Sequence, residues 1–164
     1  MFSNREVVLN AMLAALYFAL TSLTVSISFM QIQFRFAELL ILFCFFNRKY
    51  VWGVTLGCFL ANLVSPLGLV DVAFGTLATL LSALLISFSR HLLLALIYPV
   101  LINGFVVGLM LYFLFEAPFW LSFAGVCAGE AVVMIIGYVV FMLLKKNRAF
   151  FKTIGATRMT DFKF

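Results

Sequence analysis

The stretch "QIQFRFAELLILFCFF", Gln31 to Phe46, decides how this chain is laid out. From Phe34 onward it is apolar enough for a membrane interior, yet Arg35 and Glu38 stand three residues apart at its entrance. The run Phe34–Phe46 is well short of the roughly 20 residues that a spanning α-helix needs. If it counts as a crossing of its own, the chain has an even number of crossings and both termini share a side. If it merges with the run that follows, the termini are on opposite sides.

The rest of the 164 residues says which solvent applies. The chain is 66% hydrophobic and 10% charged, with a net charge of +5 and a mean hydropathy of +1.21. A soluble domain is about half apolar and a quarter charged, so this composition is that of an integral membrane protein. The positive charge is not a nucleic-acid footprint, because Lys and Arg cluster beside apolar runs and form no stripe of their own. Cys44, Cys58 and Cys127 lie inside apolar segments with no metal or disulfide spacing and read as small buried hydrophobes.

Six apolar runs can be marked: Val7–Phe29, Phe34–Phe46, Tyr50–Val64, Val72–Phe88, His91–Phe115 and Phe119–Leu144. The second and third are short, which a membrane tolerates where protein or a cavity surrounds the helix. The first is too long for the h-region of a signal peptide and has no clear cleavage site. With six crossings, one side collects Arg5, Arg48, Lys49, Arg90, Lys145, Lys146, Arg148, Lys152, Arg158 and Lys163, and the other side Arg35 alone. The positive-inside rule then places both termini in the cytoplasm. Trp52 and Trp120 start their runs at opposite interfaces, as an aromatic belt requires. The expected fold is therefore an all-α, six-helix transmembrane bundle over residues 1–144. Residues 145–164 follow as a basic cytoplasmic tail, read as a juxtamembrane segment held by anionic lipid.

Small residues mark packing faces. Gly53 and Gly57, Gly104 and Gly108, and Gly125 and Gly129 have the small-xxx-small spacing that lets membrane helices approach, and they read as packing inside the bundle. Ala11, Ala15 and Ala19 form a four-residue stripe on the first helix, where an internal neighbour and an external partner helix are both open readings.

Acids are few, so their positions carry information. Glu6, Glu116 and Asp161 fall outside or at the ends of the runs. Glu130 lies near the middle of the sixth run, where an ionisable group costs several kcal/mol and faces a cavity or a partner. Asp71 opens the fourth run, either as a helix cap or as a ligand group. Asn62 and Asn103 are amides in apolar surroundings that bond either across helices or to a ligand. Arg35, Glu38, Asn62 and Asp71 at the outer ends of their helices, with Asn103 and Glu130 deeper, outline an outward-facing pocket. Carboxylates there would accept paired N–H groups such as those of a guanine edge, and a Phe could stack on a flat ring. No Walker A, GxSxG or HExxH pattern is present, and no internal repeat is evident, so energy for any transport would come from elsewhere.

The short second and third helices, the glycines of "VWGVTLGC" and the alanine stripe resemble the substrate-binding S components of energy-coupling factor (ECF) vitamin transporters. More narrowly, "FRFAELL", "GCFLANLVSPLGLVDVAFGTLATLLSALL", "YPVLINGFVVG" and "AGEAVVMIIGY" are similar to the QueT family of S components, over about Gln31 to Tyr138. The resemblance implies uptake of a queuosine precursor, a 7-deazaguanine such as prequeuosine or queuine, across the cell membrane of a prokaryote. It implies a binding subunit rather than an enzyme, with no cofactor of its own and no nucleic-acid partner. A transmembrane coupling subunit would dock on Ala11, Ala15 and Ala19, and two ATPases would drive the cycle. Glu130 is expected to take one part of the ligand and Glu38 or Asp71 the other. An exposed Arg35–Glu38 pair would be worth only a few tenths of a kcal/mol. The pair therefore reads as a charged lip on a loop closing over the ligand. An S component for another vitamin or base, or a stand-alone membrane protein or enzyme, is the alternative.

Overall fold

The computed structural model describes residues 2–28 and 34–157. Residues 29–33 and 158–164 lie outside the described residues. With them go the start of the opening stretch, part of the loop expected over the ligand, and Arg158, Asp161 and Lys163 of the tail.

Among the described residues the fold is helical, with no strand. α1 is Asn4–Leu23 and α2 Val25–Ser28; a 3-10 helix, Phe36–Leu42, passes directly into α3, Phe43–Phe46. Then come α4 (Tyr50–Asn62), α5 (Leu69–Phe88), α6 (Leu92–Ala95), α7 (Ile97–Phe115), α8 (Phe119–Leu144) and α9 (Arg148–Thr153). Four stretches are long and apolar enough to cross a membrane: Asn4–Leu23, Leu69–Phe88, Leu92–Phe115 and Phe119–Leu144. Phe36–Phe46 and Tyr50–Asn62 are shorter apolar helices, where the sequence has its two short runs.

Local chemistry sets the boundaries. α1 begins at Asn4, earlier than its apolar run, because Ser3 and Glu6 form a capping box. α5 begins at Leu69 behind Gly68, whose φ of +68° makes the reversal out of α4. The fifth run breaks into α6 and α7 because Pro99 has no N–H for the carbonyl of Ala95 and its ring crowds that carbonyl.

The opening stretch becomes the middle of the molecule. Ala37, Leu40, Ile41, Leu42, Cys44, Phe45 and Phe46 are all buried, and α1, α4, α5 and α8 pack around the 3-10 helix. A 3-10 helix rises about 2.0 Å per residue against 1.5 Å in an α-helix, so Phe36–Phe46 reaches about 20 Å. That is less than a hydrocarbon core of about 30 Å, and enclosure by protein removes the need to match it. The long helices do the reverse, exposing Leu16, Leu81, Phe105, Ile135 and Leu143 on their outer faces.

One end of the bundle gathers the basic turns. Arg5 donates to the carbonyls of Lys152 and Thr153, Lys49 pairs with Glu6 at 2.7 Å, and Arg48 donates to the carbonyl of Ser87 and covers the Phe88 ring. α9 folds back there: Phe151 is buried against Phe46, and Tyr50 donates to the carbonyl of Ile154. The start of the basic tail, through Thr157, is thus bonded to the bundle.

Gly53 and Gly57, and Gly104 and Gly108, pack internally, as their spacing predicts. A Cβ on Gly57 would lie 2.6 Å from Tyr17 Cβ and 2.9 Å from the Ala14 carbonyl oxygen, and one on Gly53 2.7 Å from Asn10 Oδ1. Gly104 and Gly108 face α8 in the same way, at Cys127 and Phe123. Ala11, Ala15 and Ala19 point outward instead and are exposed. Replacing Gly57 by Val should force α1 and α4 apart and cost about 1–3 kcal/mol. Thermal melting in detergent reads this, and a melting temperature equal to wild type would mean the two helices do not meet there.

Candidate functional site

The six polar residues singled out from the sequence converge. Arg35 precedes the 3-10 helix that carries Glu38; Asn62 ends α4, Asp71 lies in the first turn of α5, Asn103 is on α7 and Glu130 at mid-length on α8. None is more than 7% exposed. The charged lip expected on a closing loop differs from what is seen: Glu38 lies within the 3-10 helix, and both it and Arg35 are buried.

Arg35 pairs with Asp71 at 3.5 Å. The capping role weighed for Asp71 is not the one observed: Gly68 is the N-cap of α5, without a side-chain cap, and the Asp71 carboxylate turns to the guanidinium. Asn62 ties α4 to this turn, donating to the Asp71 carbonyl at 3.0 Å and to Thr76 Oγ1 at 3.3 Å. Gly75, one turn after Asp71, makes room for these groups. A Cβ there would lie 2.7 Å from Asp71 Oδ1 and 2.8 Å from Asn62 Nδ2.

Glu38 is held differently. Its Oε1 accepts from the hydroxyl of Tyr17 on α1 and from that of Thr79 on α5, the latter at 3.0 Å. The Asn103 side chain faces both Glu38 and Glu130. Glu38 Oε2 and Glu130 Oε1 are buried, and neither has a hydrogen-bond partner among the described residues. One guanidinium therefore sits among three carboxyls, and Asp71 engages it directly. Glu38 and Glu130 retain acceptor oxygens, as does Asp71 at Oδ1, in a low-dielectric interior, where an unpaired acceptor costs about 1–3 kcal/mol. The pair can accept N–H groups, and most strongly those of a cation. No His, Cys, Asp or Glu group among the described residues is arranged to hold a metal ion.

Sequence reasoning missed Tyr17, Cys58 and Thr79. Cys58 is not simply a small hydrophobe: its sulfur lies 3.2 Å from Thr79 Oγ1, 3.4 Å from Asn62 Nδ2 and 3.9 Å from Arg35 Nη1. The signal was periodicity among polar residues. Asp71, Gly75 and Thr79 are four apart, as are Cys58 and Asn62, so each set shares a helix face. Asn10, Tyr17 and Thr21 likewise form a polar line along α1.

Comparison with known proteins covers this whole cluster. A family model described as QueT transporter matches residues 7–146. A queuosine precursor transporter QueT of Lactococcus lactis subsp. cremoris (strain MG1363) is 35% identical over 160 residues, covering 87% of this chain and 93% of that protein. No solved structure matches.

The Arg35–Asp71 pair makes its own prediction. Replacing Arg35 by Met strands buried carboxyls and should cost about 3–5 kcal/mol, and replacing both partners by apolar residues should recover much of it. Melting curves of wild type, R35M, D71L and the double variant check this. A double variant no better than R35M would show that the two side chains do not compensate each other.

Proposed function

This chain belongs to the QueT transporter family, and from that premise we propose that it is the substrate-capturing S component of an energy-coupling factor importer in a prokaryotic cell membrane. The ligand is a queuosine precursor, a 7-deazaguanine such as prequeuosine or queuine. The observation that carries this reading is the pair of buried carboxyls, Glu38 and Glu130, each with an oxygen lacking a partner among the described residues, facing a shared Asn103. A guanine-like edge offers two parallel N–H donors that fit one carboxylate, and an aminomethyl cation fits the other. Asp71 also has an unpartnered oxygen, Oδ1, among the described residues, but its charge is compensated directly by Arg35, which makes Glu38 the better second acid. Arg35, Asn62 and Asp71 then form the frame that holds the site together.

The layout we propose has six crossings, with the short pair Phe36–Phe46 and Tyr50–Asn62 enclosed by the other four. Both termini are cytoplasmic. The gathering of Arg5, Arg48, Lys49 and Lys152 at one end of the bundle supports this sidedness. Residues 1–144 are the membrane domain and 145–164 the basic cytoplasmic tail, beside anionic lipid. The exposed faces of Ala11, Ala15 and Ala19 dock the coupling subunit, and ATP hydrolysis belongs to its two ATPases. Ala15 and Ala19 line an apolar groove of about 530 Å³ with Leu9, Met12, Leu16 and Phe43, which fits a partner helix.

Native mass spectrometry of the purified protein tests the ligand class. A retained 7-deazaguanine supports the proposal, whereas another vitamin or base would keep the scaffold and change the substrate. Glu130→Gln should weaken binding of labelled prequeuosine base at least about tenfold. Unchanged affinity in a variant that melts like wild type would remove Glu130 from the site. Co-purification with a coupling subunit and an ATPase pair tests the assembly, and purification of a transport-competent chain without them would overturn it.

A further inference from the structure

Among the described residues, Glu38 accepts two hydroxyl hydrogen bonds on one oxygen and none on the other. A carboxylate has about four acceptor sites, so Oε2 keeps its acceptor capacity while Oε1 is held by two donors. The donors here come from opposite sides, Tyr17 from α1 and Thr79 from α5, and both side chains are fully buried. The backbone beneath Glu38 is also fixed, because its neighbours Ala37, Leu40 and Ile41 are packed on all sides. The two hydroxyls act on the remaining freedom, the rotation of the Glu38 side chain.

We infer that Tyr17 and Thr79 are positioning residues: they hold Glu38 Oε1 so that Oε2 is presented, already oriented, to an N–H or ammonium group of the ligand. This rests on the reading of Glu38 as a ligand group given above. Orienting the acceptor in advance removes the cost of ordering it when the ligand arrives. Thr79 is itself kept in register by Cys58, whose sulfur lies 3.2 Å from its hydroxyl and 3.9 Å from Arg35 Nη1. The clamp on Glu38 is thereby continuous with the Arg35–Asp71 pair. α1 contributes to the binding site as well as to the outer face.

The test is calorimetric titration of prequeuosine base into wild type, Tyr17→Phe, Thr79→Val and Thr79→Ser, each with a melting curve. Tyr17→Phe and Thr79→Val should each weaken binding about tenfold in protein that remains folded. Thr79→Ser, which keeps the hydroxyl, should bind within about twofold of wild type. A purely structural role would lower the melting temperature and leave the affinity of the folded protein unchanged; that result overturns the inference, as does Thr79→Ser binding as weakly as Thr79→Val. Should Tyr17→Phe fail to fold, the Thr79 pair decides alone. If wild type binds the base and the variants bind it equally well, only this inference falls. If wild type binds no 7-deazaguanine, the functional proposal falls and takes this inference with it.

Discussion

The Arg35 guanidinium and the carboxyls of Glu38, Asp71 and Glu130 lie in a bundle whose outer faces are apolar, and much of the architecture follows from keeping them away from that surface. Each charge must be enclosed by protein, because an ionised group facing hydrocarbon costs several kcal/mol. The 3-10 helix and α3 satisfy this by lying inside a ring of α1, α4, α5 and α8. Their shortness follows from the same arrangement, since an enclosed segment does not have to match the thickness of a bilayer. Gly75 belongs to this scheme too: any larger residue would collide with Asp71 and Asn62, the groups that join α4 to α5.

α1 works on two sides. Its inner face carries Ala14, against Gly57, and Tyr17, bonded to Glu38. Its outer face carries the three alanines and the apolar groove, which also includes Phe43, Tyr50 and Ile154. The groove is therefore built from α1, α3, the start of α4 and the C-cap of α9 together. Tyr17 links α1 directly to the Glu38 carboxyl.

The sequence alone made the broad plan legible. Apolar runs marked the four long helices and the two short ones, since run length and hydropathy are local properties. The acids and amides were legible for a related reason: in an apolar chain a Glu at mid-helix is costly and conspicuous, as Glu130 was. Boundaries were less legible where a single contact sets them. The Ser3–Glu6 capping box drew α1 back to Asn4, and Pro99 split the fifth run. Tyr17, Thr79 and Cys58 escaped because each is chemically ordinary in a membrane helix and becomes polar in role only through its neighbours.

The sequence by itself determined that this is an all-helical chain suited to a membrane, with a small set of polar residues too costly to be incidental. Hydropathy and charge are summed along the chain and do not depend on the fold. Only the tertiary structure decided how those residues pair. Arg35 and Glu38, three apart and of opposite charge, looked like natural partners. In the fold Arg35 pairs with Asp71, and Glu38 receives hydroxyls from two other helices. Which side chains meet depends on how helices distant in sequence are brought together, and that is fixed by close packing at residues such as Gly57 and Gly75, not by spacing along the chain.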